Sequence, residues 1–232
     1  MSNCIADCTH YMFTNDNLKK FPEIKQKHQP TPKKKDKVIK KLPDLFIPRY
    51  RDTLFWCFYI IIKGWEEFFF VGRKNFMIEK EYKIKCIELL RISKDILKKN
   101  RWRKNALENE LINEKNISIG TFVCLCAIYN INITVITNHY YYVYTCDSCK
   151  PIWYIKQSDD RFGLYTGKIA SLLENLKMTW QIDNLKKPLK GISSYKIGEL
   201  KSICKKLKIN TSPQTGRFNK CELYKLIQSK IE

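Results

Sequence analysis

Three sets of residues in this sequence have types and spacing that chemistry can use. Cys57 is a thiol inside the apolar run Leu54–Ile62, and His139 is the one histidine outside the N-terminal stretch that holds His10 and His28. A thiol and an imidazole together make a nucleophile and its base. Trp56, Phe58 and Tyr59 around Cys57 oppose its ionisation, however, so a small core hydrophobe is the plainer reading. Cys146-Asp-Ser-Cys149 has the spacing of a zinc knuckle, with Cys4, Cys8 and His10 as further ligands to complete it. Structural zinc usually takes two regular knuckles, so a β-turn with two free thiols is favoured. The third set is cationic: Lys201, Lys205, Arg217 and Lys220 lie in a short basic C-terminal stretch and suit phosphate contacts.

Other chemistries lack their residues. No G-x-x-x-x-G-K-S/T, G-x-G-x-x-G or H-E-x-x-H is present, and the adjacent carboxylates Glu66-Glu67 and Asp159-Asp160 read as surface turns. No cofactor is expected. The ten cysteines are scattered singly through apolar segments, which argues against a disulfide framework and for a reducing compartment.

Charge position says more than charge total. The chain carries 43 Lys and Arg against 23 Asp and Glu, a net +20, but lysine outnumbers arginine 35 to 8 and there are 29 isoleucines. That bias is one of A/T-rich codons and takes weight from any single lysine. Residues 1–50 hold 11 basic and 5 acidic side chains, 51–184 hold 20 and 15, and 185–232 hold 12 and 3. A surplus this dense at the C-terminus is the electrostatic footprint of phosphate neutralisation.

The elements that position these residues follow from pattern. Pro22, Pro30, Pro32 and Pro43 with Lys33-Lys34-Lys35-Asp36-Lys37 resist helix and strand, so 1–47 reads as a basic, mostly extended tail. Residues 48–183 read as a globular α+β domain. Within it Asp52 or Thr53 caps a helix that is apolar on all faces and stops at Gly64. Tyr82, Cys86, Leu89, Leu90, Ser93, Ile96 and Leu97 mark one long amphipathic helix over Glu79–Lys99. Ser118 caps a second all-apolar helix. The runs 131–137, 139–144 and 152–156 read as an antiparallel meander, and 168–177 as a short amphipathic helix. The whole is expected as helices packed on a small antiparallel sheet, with 184–193 as linker to a helix-loop-helix module over 194–232. The longest apolar run is nine residues, about half of what a bilayer requires, and the N-terminus lacks the pattern of a signal peptide. The expected setting is cytoplasm, nucleus or a virus assembly site.

The C-terminal residues carry a resemblance. Leu200-Lys201-x-x-Cys204-Lys205-x-x-x-Ile209, then Thr211 and Ser212, Gly216-Arg217 and Lys220-x-x-Leu223-x-x-x-Ile227 resemble the SAP motif of chromatin and DNA-repair proteins. The resemblance implies binding of A/T-biased double-stranded DNA, with backbone amides at the second helix's start and basic side chains meeting phosphates. Carried onto this sequence, the contacts are Lys201, Lys205, Gly216, Arg217 and Lys220. Two departures stand out: Lys208 occupies a place usually held by glycine, and the loop is several residues longer.

A second, remoter resemblance covers roughly residues 50–165. Asp52-Thr-Leu-Phe-Trp-Cys57 on a buried helix, followed by an apolar helix and two strands, is similar in order to papain-like cysteine peptidases of the ovarian-tumour deubiquitinase type. That family's motif is Asp-x-x-Cys-Leu-Phe. Aligned through Leu54-Phe55, its nucleophile falls on Thr53 and its later His-Tyr pair near Arg161-Phe162. Both catalytic positions are substituted, so the resemblance implies a non-catalytic form of the fold. The alternative is a peptidase using Cys57, one helical turn beyond Thr53, with His139 as base. Composition and this pairing of parts resemble proteins of large cytoplasmic DNA viruses, which implies a genome-associated or virion component docked by its middle domain.

Overall fold

The structure, a computed structural model, describes residues 43–209 and 218–231. The described residues belong to one compact unit of the α+β class. Among them, eight α-helices accompany a six-stranded sheet, and no helix is long and apolar enough to cross a membrane.

The first helix, α1 (Thr53–Phe70), starts where the sequence predicts. The Asp52 carboxylate accepts the Phe55 N–H at 3.2 Å, satisfying one of the donors a helix start leaves open. Leu54 through Ile60 are buried in succession, so the helix is enclosed on every side. Full burial of such side chains stabilises by roughly 1.5–3 kcal/mol each. Gly64 interrupts it at φ +86°, and a methyl group there would meet nothing within 4 Å, so the residue is selected by backbone angle and not by space. The break turns Trp65, Phe68 and Phe69 around Phe46, whose ring lies 4.8 Å from that of Trp65.

The long helix expected over 79–99 is two. α2 (Asn75–Ile92) ends at Ser93 and α3 (Lys94–Lys99) continues at a new angle of the backbone. A further helix that apolar spacing did not mark, α4 (Lys104–Asn113), buries only Leu107 and Leu111. α5 (Ile119–Ile128) begins at Ser118, whose hydroxyl accepts the Thr121 N–H at 3.2 Å, and is buried from Thr121 to Ala127.

The sheet is mixed, not the antiparallel meander expected. β1 (Leu45–Phe46), β2 (Asn132–Ile136), β3 (Tyr140–Tyr144), β4 (Ile152–Ser158), β5 (Arg161–Tyr165) and β6 (Trp180–Ile182) lie in the order β1-β5-β4-β2-β3-β6. β2 pairs antiparallel with β3 but parallel with β4, and β3 pairs parallel with β6. The physical reason is that every residue of β2 is buried, and such a strand belongs in the middle of a sheet with neighbours on both edges. β1 lies so close to β5 that a methyl on Gly163 would meet the Phe46 carbonyl at 2.7 Å.

Side chains alternate across the sheet. Ile133, Val135, Ile155 and Leu164 join α1, α2 and α5 in the main core. On the opposite face Ile136 meets Leu172 and Leu176 of α6 (Ile169–Lys177). The tyrosines of β3 are divided by the same alternation: Tyr142 and Tyr144 pack on the main core and Tyr141 on the α6 side.

Two final helices, α7 (Ile197–Lys206) and α8 (Lys220–Ile231), pack together through Leu200, Ile203, Cys204, Leu207, Leu223 and Ile227. Their cluster also contains Trp180 and Ile182 of β6 and Leu189. The stretch 184–193, expected as a linker, is tied down. The Lys190 N–H donates to the Tyr195 hydroxyl, the Tyr224 hydroxyl donates to the Lys190 carbonyl, and the Lys190 ammonium pairs with Asp183 at 2.7 Å.

Candidate nucleic-acid interface

On α7 the apolar positions turn inward and leave a lysine stripe outward. Lys201 and Lys205 are exposed one turn apart, and Lys208, also exposed, follows just beyond the end of the helix. Among the described residues none of these three, nor Lys220 at the start of α8, forms an ion pair. Lys201, Lys205 and Lys208 are exposed to water. Lys220 is half-buried, and Gly216 and Arg217 lie outside the described residues.

The Lys208 backbone does what glycine would do. Its φ is +54°, and the Lys208 and Ile209 N–H groups donate to the Lys205 and Cys204 carbonyls at 3.1 and 2.9 Å, the paired bonds that close a helix C-terminus. The chain leaves α7 in the left-handed conformation although a lysine occupies the position. At the start of α8 the Asn219 carboxamide accepts the Glu222 N–H at 2.9 Å, and the Glu222 carboxylate accepts the Asn219 N–H at 2.8 Å. This capping box places an acidic side chain at the helix start that the motif resemblance assigns to a phosphate.

The second candidate centre is brought together only in part. The Thr53 hydroxyl accepts the Phe162 N–H at 3.0 Å, and the Cys57 thiol donates to the Phe162 carbonyl at 3.9 Å. Thr53, aligned with the nucleophile, therefore meets the backbone of Phe162 in the Arg161-Phe162 pair, through a main-chain contact and not through a side-chain base. His139 is elsewhere. It sits in the β2–β3 turn, and its N–H donates to the Thr137 hydroxyl. β4 lies between β2 and β5, which sets the turn roughly 10 Å across the sheet from β5. Cys57 is fully enclosed, and burial together with the nearby Asp52 charge pushes its thiol well above the ordinary range. A thiol so placed, with no base in reach among the described residues, is built as core.

The Cys146–Lys150 loop is organised by Asn132. The buried Asn132 carbonyl oxygen accepts the Cys146 and Asp147 N–H groups at 2.9 and 3.2 Å and the Cys146 thiol at 3.2 Å. Its amide donates to the Lys150 carbonyl at 3.0 Å and to the Asp147 carbonyl. Cys146 and Cys149 are exposed and free, and among the described residues no group of three His, Cys, Asp or Glu side chains could hold a metal ion. Cys4, Cys8 and His10 lie outside the described residues.

One cluster was not foreseen. Lys83 of α2 is buried, 2.7 Å from Asp52 and 2.9 Å from Glu79, and its ammonium also lies over the Phe55 ring at 5.1 Å. Asp52 in addition accepts the Ile117 N–H at 3.1 Å, and Glu79 accepts the Trp56 indole N–H at 3.0 Å. A cavity of about 480 Å³ borders Glu79 and Lys83. Both acids are already engaged by the one cation, so the cluster ties α1, α2 and the approach to α5 together. Its only signal in the sequence is a lysine on the apolar face of α2, next to Tyr82.

Compared with known proteins, the chain matches no family model, no curated protein and no solved structure.

Proposed function

We propose that this chain is a non-enzymatic DNA-binding protein that holds duplex DNA by its phosphates through α7 and α8. The observation that carries the reading is the stripe Lys201, Lys205 and Lys208 with Lys220, without an ion pair among the described residues, in a segment of 12 basic and 3 acidic residues. A cation that no carboxylate neutralises releases counterions when it meets a phosphate, and that release drives binding. A genome-associated or virion role, with the rest of the α+β unit docking a protein partner, follows from the same reading.

The test uses the full chain, because α7 and α8 share their core with Trp180, Ile182 and Leu189 and a cut before them would expose it. Binding to an A/T-rich duplex is measured across a salt series for the natural chain and for Lys201→Gln, Lys205→Gln and Lys220→Gln combined. Loss of these contacts lowers the log–log salt slope by roughly 2–3. An unchanged slope refutes the assignment.

A further inference from the structure

A second groove is bordered by the α3–α4 connection, α4, the start of α5, Tyr140 of β3 and the stretch at Leu185 and Lys186. Its volume is about 650 Å³, within the range that accepts a small ligand. Its lining includes Arg101, Trp102, Arg103, Glu110, Tyr140 and Lys186. The Lys186 ammonium donates to the Arg101 carbonyl at 2.8 Å, which draws the three cations to one wall. Among the described residues Arg101, Arg103 and Lys186 have no acidic partner. The Glu110 carboxylate also lines the groove, where it accepts the Ser118 N–H, the Ser118 hydroxyl and the Thr121 hydroxyl and forms no ion pair with the three cations, whose charge exceeds its own.

The residue types are unusual for this chain. Lysine is its default cation, 35 to 8, yet arginine stands on both sides of Trp102. Arginine presents a planar fork that holds phosphate with two bonds and stacks on flat rings, which lysine cannot do. Arg101 is also held at φ +53°, where glycine would sit without strain, so a guanidinium is kept there against backbone preference. Of the β3 tyrosines Tyr140 alone lines this groove, and its hydroxyl has no partner among the described residues. Half-buried aromatic rings beside unpaired guanidinium groups are the arrangement by which proteins hold single nucleic-acid strands.

We infer that this groove takes an unpaired nucleotide of a nucleic-acid strand, with its base against Trp102 and Tyr140 and its phosphate on Arg101, Arg103 and Lys186. The inference rests on the nucleic-acid reading for the class of partner and extends it from duplex to single strand.

The full chain is titrated with a short labelled oligothymidylate and, separately, with the duplex. Arg101→Gln with Arg103→Gln, and Tyr140→Leu, each weaken the single strand on the order of tenfold while duplex affinity stays within about twofold, and Tyr140→Phe binds as the natural chain does. Circular dichroism melts confirm that each variant is folded. Single-strand binding unchanged in either variant overturns the inference. Equal weakening of single strand and duplex overturns it as well, because it reports general charge and no groove. The combined Lys201, Lys205 and Lys220 variant separates the two readings: if it leaves duplex binding intact the stripe has failed, whereas the groove is decided by the oligothymidylate alone.

Discussion

The ammonium of Lys83 lies 2.7 Å from the carboxylate of Asp52, and the two residues are 6% and 1% exposed. Removing one member of such a pair strands its partner's charge in the core. Lys83→Met leaves both Asp52 and Glu79 without their cation and is expected to cost about 3–5 kcal/mol, lowering Tm by roughly 6–20 °C. Asp52→Asn keeps an oxygen for the Phe55 N–H and leaves Lys83 paired with Glu79 at 2.9 Å, but sets an NH2 where the Ile117 N–H and the ammonium had an acceptor. Its loss is expected to be smaller than that of Lys83→Met, because no carboxylate is left without its cation. Urea titrations of the two variants check this ranking, and equal losses would show that Glu79 contributes nothing.

The same pair predicts where alkali acts. Burial alone would pull the Lys83 ammonium below the ordinary 10.5, but the Asp52 and Glu79 carboxylates bonded to it hold it above that value. A folded-state value that is raised gives stability in full below the unfolded value and loses it as pH climbs through the folded one. The stability that Lys83 contributes is therefore full up to about pH 10, and on the alkaline side the gap between the natural chain and Lys83→Met narrows only above that. Denaturation midpoints taken across that range test the sign; a gap that closes below pH 9 contradicts it.

Local chemistry in the sequence located the starts of the two buried helices and the break in the first, because caps and periodicity act over a few residues, but not the break at Ser93. Asp52, Gly64 and Ser118 each do what their types imply. Pairing across the sheet was not legible in that way. β4 returns beside β2 and not β3, and nothing local distinguishes the two, although the β-branched run Ile133-Thr134-Val135-Ile136 in β2 was a sign of a central strand. Helix α4 escaped notice because two buried leucines four residues apart are too few to set a period. Thr53 and Phe162, 109 residues apart, are bonded at 3.0 Å, a contact that no local pattern announces. Lys83 was hidden for the opposite reason: a charged residue on an apolar face is read as an interruption until its two acids are seen.

Lys208 offers a test of backbone strain. A non-glycine residue at φ +54° costs on the order of 1 kcal/mol relative to glycine in a helix-closing position. Lys208→Gly is expected to raise stability by about that amount, a Tm gain of roughly 2–4 °C, while removing one phosphate contact and about 0.9 from the salt slope. Thermal melts and duplex titrations of the one variant read both effects, and a destabilised Lys208→Gly would mean that its side chain packs.

Thiol labelling separates core from surface cysteines. Cys146, Cys149 and Cys221 are exposed, whereas Cys57, Cys86, Cys124, Cys126 and Cys204 are buried. Burial pushes the thiols of Cys86 and Cys124 up to about 12 and that of Cys57 further. With iodoacetamide at mildly alkaline pH the first three are modified in the native protein and the other five only after denaturation. Mass spectrometry of digests assigns each site. Native modification of Cys57 ahead of Cys221 would restore it as a nucleophile.

Glu222 decides whether the start of α8 faces phosphate. Its carboxylate accepts the Asn219 N–H at 2.8 Å and sets a negative charge at the positive end of the helix. A DNA phosphate approaching the same end is repelled by that charge, while the Asn219 cap keeps the helix start formed. Glu222→Gln retains an acceptor for the capping box and removes only the charge. Stability is expected to change by less than about 0.5 kcal/mol, and duplex affinity to rise about two- to threefold with a larger effect at low salt. The gain must vanish in the combined Lys201, Lys205 and Lys220 variant if those lysines hold the duplex against the helix. An affinity indifferent to Glu222 would place the DNA along the α7 stripe alone, with the start of α8 turned away from it.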